Sequence, residues 1–232
     1  MSETEPKKTD TKTIIIAAVI VAAAIIISPI IRHYFPAASA ANAPITQNSA
    51  DARTSLIKAV DESDHVRGNK NARITLIEYA DTECPYCTHV HETFKAMLDK
   101  YPNDVRWVYR HLPFHEHATS EANISECIAS VHGNDAFWKY LDALFANQNI
   151  GNTRGADVAT ELGYWDEKTQ ACAAANTFSQ HITDDDANAA AIGAQGTPYT
   201  VIVTKSGKMI PISGAQPQNV FESIIQSLIK QS

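Results

Sequence analysis

The sequence predicts an α/β domain in which a β-α-β unit and a β-β-α unit are separated by a long helical insert. Three observations support this fold class. An apolar strand leads through a turn into a Cys-x-x-Cys motif and a helix, a long alanine-rich stretch with helical periodicity follows, and two short β-rich segments precede a final amphipathic helix. An apolar run near the amino terminus adds a single predicted transmembrane helix in front of the domain.

The composition is that of one domain of ordinary size with appendages. The chain has 232 residues, 44% of them hydrophobic, and a formal net charge of −7. The sequence has no basic patch of the kind that would indicate nucleic acid as a partner. The four cysteines are an even number, which is compatible with two pairs.

The residues before the domain predict a tail, an anchor and a linker. Residues 1–13 are polar and predict a cytoplasmic tail. Residues 14–31 are almost entirely apolar, and a helix of this length covers about 27 Å, just enough for the core of a bilayer. Residues 32–63 predict a flexible linker, in which the apolar spacing over residues 51–60 is compatible with a short helix.

The lysines of the tail favour a cytoplasmic amino terminus and export of the rest of the chain. The predicted location is therefore the cell membrane, as a single-pass protein with its main domain on the extracytoplasmic side, periplasmic or extracellular. A cleaved signal peptide is the alternative, because Ala38-Ser39-Ala40 resembles a signal-peptidase site. The length of the apolar run favours an uncleaved signal anchor.

The domain is predicted over residues 64–232 and begins with a β-α-β unit. Ile74–Tyr79 is rich in β-forming apolar residues and predicts a strand. The turn after it leads into CPYC, and residues 88–101 carry apolar side chains at helical spacing. Val105–Arg110 predicts the next strand, and because a helix connects the two strands, they should lie parallel.

A helical insert is predicted over roughly residues 117–192. Glycines punctuate it, and its helices are expected over residues 118–131, 135–146, 155–162 and 167–191. The region is too long for a simple crossover connection, which indicates an inserted subdomain.

The carboxyl-terminal part predicts a β-hairpin and a helix. A Gly-Thr-Pro turn leads into strand Tyr199–Val203, and a glycine turn returns the chain antiparallel along Met209–Ile212. Pro211 within this second strand indicates an edge position, because proline has no N–H to donate to a neighbouring strand. A helix is then predicted over Gln218–Ile229.

The Cys-x-x-Cys motif is the candidate reaction centre, because strand, turn, CxxC and helix form the context of a redox pair. Cys84 should lie at the amino-terminal end of the helix, where free N–H groups and the helix dipole lower the thiol pKa. Pro85 suits the first helical position. Cys87 follows one turn later, placed to resolve a mixed disulfide at Cys84. Asp81 and Glu83 are expected only to polarise the preceding turn.

A zinc site is the alternative for this motif, with His89 and His91 as further ligands. Structural zinc sites usually draw on a second ligand pair, and the remaining cysteines, Cys127 and Cys172, lie far apart in the sequence. We therefore predict no metal site and expect both histidines to be surface residues of the helix.

Three short segments are similar to the DsbA family of exported thiol–disulfide oxidoreductases, in its membrane-anchored, thioredoxin-like branch. They are EYADTECPYC at residues 78–87, YRHLP at residues 109–113 and GTP at residues 196–198. The resemblance covers roughly residues 65–230, a domain-sized part of the chain. It implies a thioredoxin fold with the helical insert between its two halves.

The resemblance also implies roles for residues around the cysteines. Pro198 matches a cis proline that faces the disulfide, and the backbone of Thr197 matches a segment that pairs with extended substrate. Glu78 matches a buried acid beneath the cysteines, whose raised pKa lets it shuttle the proton of Cys87. An ordinary trans turn proline and a glutamate on a solvated strand face are the alternatives.

Tyr86 stands where the most oxidising members of the family carry histidine, which leaves the oxidising strength open. Cys127 and Cys172 match a pair that is often disulfide-bonded in this branch, with two buried free thiols as the alternative. A CPYC motif also occurs in glutaredoxins, but the long insert and the anchor argue against that identity.

The implied function is an exported, membrane-tethered enzyme that oxidises cysteines of reduced or unfolded exported proteins to disulfides. Such an enzyme needs no cofactor. Its implied partners are those substrates, the membrane through the amino-terminal helix, and a membrane redox partner that reoxidises Cys84 and Cys87. A disulfide reductase or isomerase, and a non-catalytic tethered binding or chaperone module, are the alternative functions.

Overall fold

A five-stranded sheet organises the part of the chain that the computed structural model describes, residues 53–147, 151 and 153–231. Its strand order is β1-β3-β2-β4-β5. The strands are β1 His65–Gly68, β2 Ile74–Ala80, β3 Val105–His111, β4 Tyr199–Thr204 and β5 Met209–Ser213. β2 is parallel to β3 and antiparallel to β4, and antiparallel β1 and β5 form the edges, with Pro211 on β5.

Helices connect and cover these strands. They are α1 Pro85–Lys100, α2 Ala118–His132, α3 Asn134–Ala146, α4 Arg154–Glu161, α5 Glu167–Ala174, α6 Ser179–Ala191 and α7 Gln218–Lys230. Helix α1 joins parallel strands β2 and β3, and α2 to α6 form an insert between β3 and β4. The predicted thioredoxin-like order with an inserted helical subdomain is therefore confirmed.

Strand β2 is the centre of the fold, and all seven of its residues are buried. On one face, Phe94 of α1 makes edge-to-face contacts with Trp107 of β3 and Phe221 of α7, at centroid distances of 5.5 and 5.0 Å. On the other face, a smaller apolar cluster contains Ile77 and Ala189 of α6. Full burial of one large apolar side chain stabilises the fold by about 1.5–3 kcal/mol, so these two clusters fix β2 in place.

The end of the insert was predicted as one helix over residues 167–191, and it forms two, α5 and α6. Asn176 between them has a φ of 49°, in the left-handed region that asparagine tolerates better than most residues. The Asn123 side chain of α2 donates to the carbonyl oxygen of Ala173 at 3.0 Å and accepts the N–H of Phe178 at 3.2 Å. Contacts from α2, which periodicity does not show, therefore separate the two helices.

Strand β1 is absent from the sequence prediction. It pairs antiparallel with β3, with His65 opposite Tyr109. Its four residues, HVRG, are too few to show the alternation by which a strand is recognised. Gly68 ends it with a φ of 97°, and a Cβ there would lie 2.9 Å from the Leu98 side chain, so this backbone position requires glycine.

Most of the predicted amino-terminal organisation lies outside the described residues, including the tail over 1–13 and the anchor over 14–31. Residues 55–60 are described and are not helical, so no short helix extends along them. Their Ile57 and Val60 pack instead against the smaller apolar cluster. In the described ranges, no helix has the length and apolarity needed to cross a bilayer.

Cys127 of α2 and Cys172 of α5, which lie 45 residues apart, form a disulfide within the insert. This is the pairing implied by the resemblance, and the alternative of two free thiols is not found. By restricting the unfolded chain, a bond that closes such a loop stabilises the domain by roughly 4 kcal/mol.

Candidate active site

The Cys-x-x-Cys motif lies where the central strand β2 passes into α1. Cys84 is the N-cap residue of α1, with extended backbone angles (φ −78°, ψ 119°), and Pro85 is the first helical residue. Proline fits this position because its fixed φ is helical and no N–H is required there. Cys84 and Cys87 are both free and both buried. The strand therefore places two thiols side by side at the amino-terminal end of a 16-residue helix.

The pKa of Cys84 is lowered from 9.0 to about 5. The first cause is the Cys87 thiol, which hydrogen-bonds the thiolate, and Thr197 and the backbone N–H groups of Cys87 and Tyr86 contribute further. Burial acts in the opposite direction and is outweighed. Cys84 is therefore a thiolate at neutral pH, and a nucleophile and good leaving group in thiol–disulfide exchange.

The Cys87 thiol has the opposite character. Burial raises its pKa far above the ordinary value, and its bond to Cys84 and the nearby Glu78 carboxylate act in the same direction. The thiol therefore keeps its proton unless a neighbouring group removes it. The two thiols therefore differ in ionisation, with Cys84 the stronger acid and Cys87 the weaker one.

Glu78 lies in the middle of β2 and is 1% exposed. It alternates with Ile77 and Tyr79 of the smaller cluster, so its side chain points to the face that carries α1 and Cys87. Burial raises its pKa from 4.5 to about 8, and the neighbouring Trp107 indole offsets this only in part. Neither carboxyl oxygen has a hydrogen-bond partner within the described residues, and the Trp107 N–H is likewise unpaired. Glu78 is therefore largely protonated at neutral pH, in reach of Cys87.

Thr197 and Pro198 complete the site from the other half of the fold. The peptide bond between them is cis, and Pro198 immediately precedes β4. The protonated Cys84 thiol donates to the carbonyl oxygen of Thr197 at 3.6 Å. This contact brings together the two segments that sequence similarity singled out, and it leaves the half-buried Thr197 backbone beside the reactive sulfur.

Asp81 was expected only to polarise the turn, and this expectation is corrected, because its carboxylate is buried and joins two loops. Oδ1 accepts the N–H of Glu83 at 2.7 Å, and Oδ2 accepts the N–H groups of Phe114 and His115 at 2.5 and 2.9 Å. The His115 ring nitrogen Nδ1 lies 3.0 Å from the same oxygen. This bond to Asp81 raises the pKa of His115, and the Cys84 thiolate adds to the effect.

Sequence analysis missed the loop after β3, although a signal was present. Because β2 and β3 are parallel, their carboxyl ends meet at one edge of the sheet, so residues after His111 had to lie near the CxxC turn. Phe114 of this loop is 59% exposed, and Tyr86 of the motif is 64% exposed. Two aromatic side chains thus remain open to solvent on segments that border Cys84.

Glu83, which was expected only to polarise the turn, is also buried, and a second network ties its turn to the insert. One Glu83 carboxylate oxygen accepts the N–H of His117 at 2.9 Å. Thr82 donates to Glu121 of α2 at 2.5 Å, and Arg154 of α4 binds both Glu121 and the Thr82 carbonyl oxygen. The insert therefore holds the turn that carries the reactive cysteine.

The two histidines of α1 differ. His89 is exposed, whereas His91 was wrongly expected at the surface. It lies one turn after Cys87 on the inward face of α1, against the Trp107 and Phe145 rings, with Nε2 2.7 Å from Asp142 Oδ1. Among the described residues, no group of three or more His, Cys, Asp or Glu side chains is arranged to hold a metal ion.

The sequence profile of the thioredoxin family matches residues 60–225. Among solved structures, a thioredoxin-like oxidoreductase from Silicibacter pomeroyi DSS-3 is 26% identical, covers 73% of this chain and 94% of its own, and has a TM-score of 0.63. Pseudomonas aeruginosa DsbA2 is 27% identical, with coverages of 74% and 97% and a TM-score of 0.56. Wolbachia pipientis alpha-DsbA1 shares the fold, with a TM-score of 0.68 at 19% identity and coverages of 77% and 96%.

Curated relatives match over much smaller shares of their length. The Na(+)/H(+) antiporter NhaA of Herminiimonas arsenicoxydans is 35% identical over 154 residues, which are 66% of this chain and 24% of the antiporter. NhaA 1 of Salinispora arenicola is 39% identical over 106 residues, 44% of this chain and 15% of that protein. The chain thus spans about a quarter or less of these relatives.

The predicted location, a single-pass protein of the cell membrane with a cytoplasmic amino terminus, is wrong by these comparisons. The antiporter relatives match only over partial segments. A solved neighbour from Salmonella enterica serovar Typhimurium, 24% identical, with coverages of 78% and 96% and a TM-score of 0.57, is described as a periplasmic thioredoxin-like protein.

Proposed function

Because the chain belongs to the thioredoxin family and is a DsbA-like thiol–disulfide oxidoreductase by fold, we propose that it oxidises pairs of cysteines in exported proteins to disulfides. The observation that carries this proposal is the opposed pKa shift of Cys84 and Cys87. A stabilised Cys84 thiolate makes the reduced motif favourable, and a favourable reduced form makes the oxidised motif an oxidant.

The reaction starts with the Cys84–Cys87 disulfide. A substrate thiolate attacks Cys84 Sγ, the bond between the two cysteines breaks, and a mixed disulfide forms at Cys84. A second substrate thiolate then attacks the substrate sulfur of this mixed disulfide and releases Cys84 as a thiolate. The substrate loses two electrons and gains a disulfide, while the motif gains the two electrons and is reduced.

Glu78 handles the proton of Cys87 in this scheme. When Cys87 leaves as a thiolate in the first step, the buried and protonated Glu78 donates a proton to it. In the reverse direction, ionised Glu78 accepts the proton and allows Cys87 to attack. A pKa of about 8 places the acid near the operating pH, where transfer in either direction costs least.

Substrate alignment is assigned to the segment before β4 and to the exposed rim. The backbone of Thr197 lies beside Cys84 and offers main-chain groups to an extended polypeptide, with Pro198 fixing the approach. Tyr86 and Phe114 add exposed aromatic surface for unfolded chain. The Cys127–Cys172 disulfide supports an oxidising compartment as the place of action.

Turnover requires a redox partner that reoxidises the reduced motif, since each cycle leaves two electrons on Cys84 and Cys87. A partner that supplied electrons instead would make the same site a disulfide reductase, so the direction of catalysis depends on the reduction potential.

The test uses a synthetic peptide with two cysteines and the full-length protein, oxidised beforehand. We expect one peptide disulfide to form per protein molecule, no reaction with Cys84→Ser, and a stable mixed disulfide with Cys87→Ala on a disulfide-containing peptide. The reduction potential, measured against glutathione, should lie well above the thioredoxin value of about −270 mV. A potential at or below that value, with a peptide that stays reduced, would make the protein a reductase. Unchanged activity in Cys84→Ser would rule out both enzymes.

A further inference from the structure

A cavity opens on the sheet face that carries α6, at the end of β2 opposite the cysteines. Its volume is about 350 Å³. Thr75 of β2, Arg106 of β3 and Val203 of β4 contribute to its wall, together with residues 57–60. Thr75 and Ala80 are separated by about 17 Å of extended strand, and the Cys84 turn lies beyond Ala80. The cavity is therefore separate from the thiol site.

The charge of this cavity contrasts with that of the whole chain, whose net charge is −7. Its lining contains five basic residues and no acidic residue; the basic residues are Lys58, Lys70, Arg73, Arg106 and Lys205. Lys58 pairs with Asp61 at 3.3 Å and Arg73 with Asp104 at 2.6 Å. In the described part of the chain, no carboxylate lies within ion-pair distance of the other three, so the cavity has an excess of positive charge.

Arg106 is the best-placed of the three to bind an anion, because it is half-buried and its guanidinium is held. Its Nε–H donates to Thr75 Oγ1 at 2.8 Å, and its Nη1 donates to the carbonyl oxygen of Lys70 at 3.0 Å. Both acceptors are neutral, and a guanidinium has five N–H donors in a rigid fork. A half-buried cation with neutral partners is stabilised by an anion that it can bind through the remaining donors.

The floor of the cavity is apolar. Ile77 is buried there, and Val203 and Met209 are half-buried. Ligand sites of this kind combine an apolar wall with a few polar groups that fix orientation, over volumes of about 300–1,000 Å³. A cavity of about 350 Å³, near the lower limit of this range, has room for a short hydrocarbon chain. The Arg106 guanidinium at its edge can bind one anionic group.

We propose that this cavity binds a small amphipathic monocarboxylate, with the carboxylate on Arg106 and the hydrocarbon chain on Ile77 and Val203. This site neither requires the redox reaction nor contributes to it. Its occupant is defined by charge complementarity with Arg106, Lys70 and Lys205 and by the apolar floor between the strands.

The test is a titration of the isotope-labelled full-length protein with sodium octanoate below its micelle concentration, followed by the amide signals of Thr75, Arg106 and Val203. We expect saturable shifts at these three residues. Arg106→Gln should weaken binding at least about tenfold, because a charge-assisted bidentate pair is lost. Arg106→Lys should retain part of the affinity, and Lys139→Gln, at an exposed position of α3, should leave it unchanged.

Two further probes separate the contributions of head and chain. Octanol has the chain without the charge, and acetate has the charge without the chain, so each should bind at least about tenfold more weakly than octanoate. Equal affinity for octanol, equal affinity for acetate, or binding unchanged in Arg106→Gln would each overturn the proposal. If octanoate bound only to the apolar residues 14–31, its affinity would be the same in Arg106→Gln as in the parent, so this outcome is distinguished from binding in the cavity.

Retained peptide oxidation by Cys84 reports that each variant is folded. Should Arg106→Gln fail to fold, Lys205→Gln replaces it, since Lys205 is exposed and has no carboxylate partner among the described residues. Lys205→Gln should weaken octanoate binding about twofold to threefold. Unchanged binding in that variant, or no saturable shift in the parent protein, would refute the site.

Discussion

Cys84 Sγ lies 3.6 Å from the carbonyl oxygen of Thr197, although the two residues are 113 positions apart in the chain. The entire helical insert lies between them in sequence. The contact forms because β4 pairs antiparallel with β2, with Tyr199 opposite Tyr79 and Thr200 opposite Glu78. Sheet pairing therefore brings Cys84 and the segment of Thr197 and Pro198 together, and the insert extends from the sheet without interrupting it.

Replacing Cys87 should raise the pKa of Cys84. The Cys87 thiol is the first contribution that holds this pKa near 5. We expect Cys87→Ala to raise it by about 1 or more, and Cys87→Ser, which retains a hydroxyl donor, to raise it less. The measurement is the ultraviolet absorbance of the thiolate in reduced protein as a function of pH. Identical titrations for both variants and the parent would contradict this account of the low pKa.

The same pKa shift fixes how the stability of the reduced protein depends on pH. The folded pKa of Cys84, about 5, lies below its ordinary value of 9.0, so ionised Cys84 stabilises the fold. This contribution is fully present above pH 9.0 and is lost as the pH falls through about 5. As the pH increases from about 5 to 9.0, the free energy of unfolding of the parent should therefore rise relative to that of Cys84→Ser. Urea denaturation under reducing conditions measures this difference.

Glu78→Gln should stabilise the domain at alkaline pH and slow the redox reaction. The folded pKa of Glu78, about 8, lies above the ordinary value of 4.5. Its contribution to stability is therefore fully present below pH 4.5 and is lost as the pH rises through about 8. Well above pH 8 we expect the variant to gain roughly 5 kcal/mol in unfolding free energy over the parent, since the pKa is raised from 4.5 to about 8.

The proton-transfer role of Glu78 has a separate readout. Stopped-flow measurement of peptide oxidation should give a slower first step in Glu78→Gln near neutral pH, by about tenfold or more. Glu92→Gln, an exposed position on α1, is the matched control: it should leave the rate unchanged and, because it loses only an exposed pair with Lys95, should change stability by less than about 1 kcal/mol. A variant that is more stable above pH 8 but oxidises the peptide at the parent rate would leave Glu78 with no part in proton transfer.

His115→Gln should raise the pKa of Cys84 by about 0.5, because it removes a positive charge near the thiolate. Asp81 raises the pKa of His115, so the imidazolium persists to higher pH than in an ordinary histidine and is lost as the pH rises through that raised value. The ultraviolet titration of the Cys84 thiolate, as used for the Cys87 variants, also measures this change. His89→Gln, an exposed histidine of α1, should have no effect. An equal shift in both variants would indicate a long-range charge effect in place of this one.

Breaking the ion pair between Glu121 and Arg154 should destabilise the domain strongly. Both side chains are buried, and they also hold Thr82 of the active-site turn. Because one charge would be left buried and unpaired, Arg154→Ala should cost about 3–5 kcal/mol in urea denaturation. Lys95→Ala, which removes an exposed pair with Glu92, should cost less than about 1 kcal/mol. A similar small cost for Arg154→Ala would show that the insert does not hold the turn.

Patterns local in sequence predicted the fold well, and contacts between distant segments set its limits. The strand and helix around Cys84, the parallel β2 and β3, and edge strand β5 with Pro211 follow from periodicity and proline chemistry. Similarity to the DsbA family, which is confirmed, pointed to Thr197 and Pro198. The structure places the Thr197 carbonyl oxygen 3.6 Å from Cys84 Sγ, and the bond from Thr197 to Pro198 is cis.

The misses have a common physical cause. Asp81 and Glu83 were expected only to polarise the turn, and His91 was expected at the surface. Each is buried, because a partner from another segment satisfies at least part of its hydrogen-bonding capacity. Asn123 ends α5 in the same way, from a different helix. Such partners lie far away in the chain, so no local pattern contains them.

The disulfide between Cys127 and Cys172 is the same type of bond that this domain is proposed to form in other proteins. A newly synthesised copy has four thiols. The insert is complete only after Cys127 and Cys172 have been oxidised to a disulfide, with the loss of two electrons. Under the proposed function, a mature copy is a competent acceptor for that pair. Each predecessor that takes up such a pair is itself reduced, so the redox partner must reoxidise it before it can complete another copy.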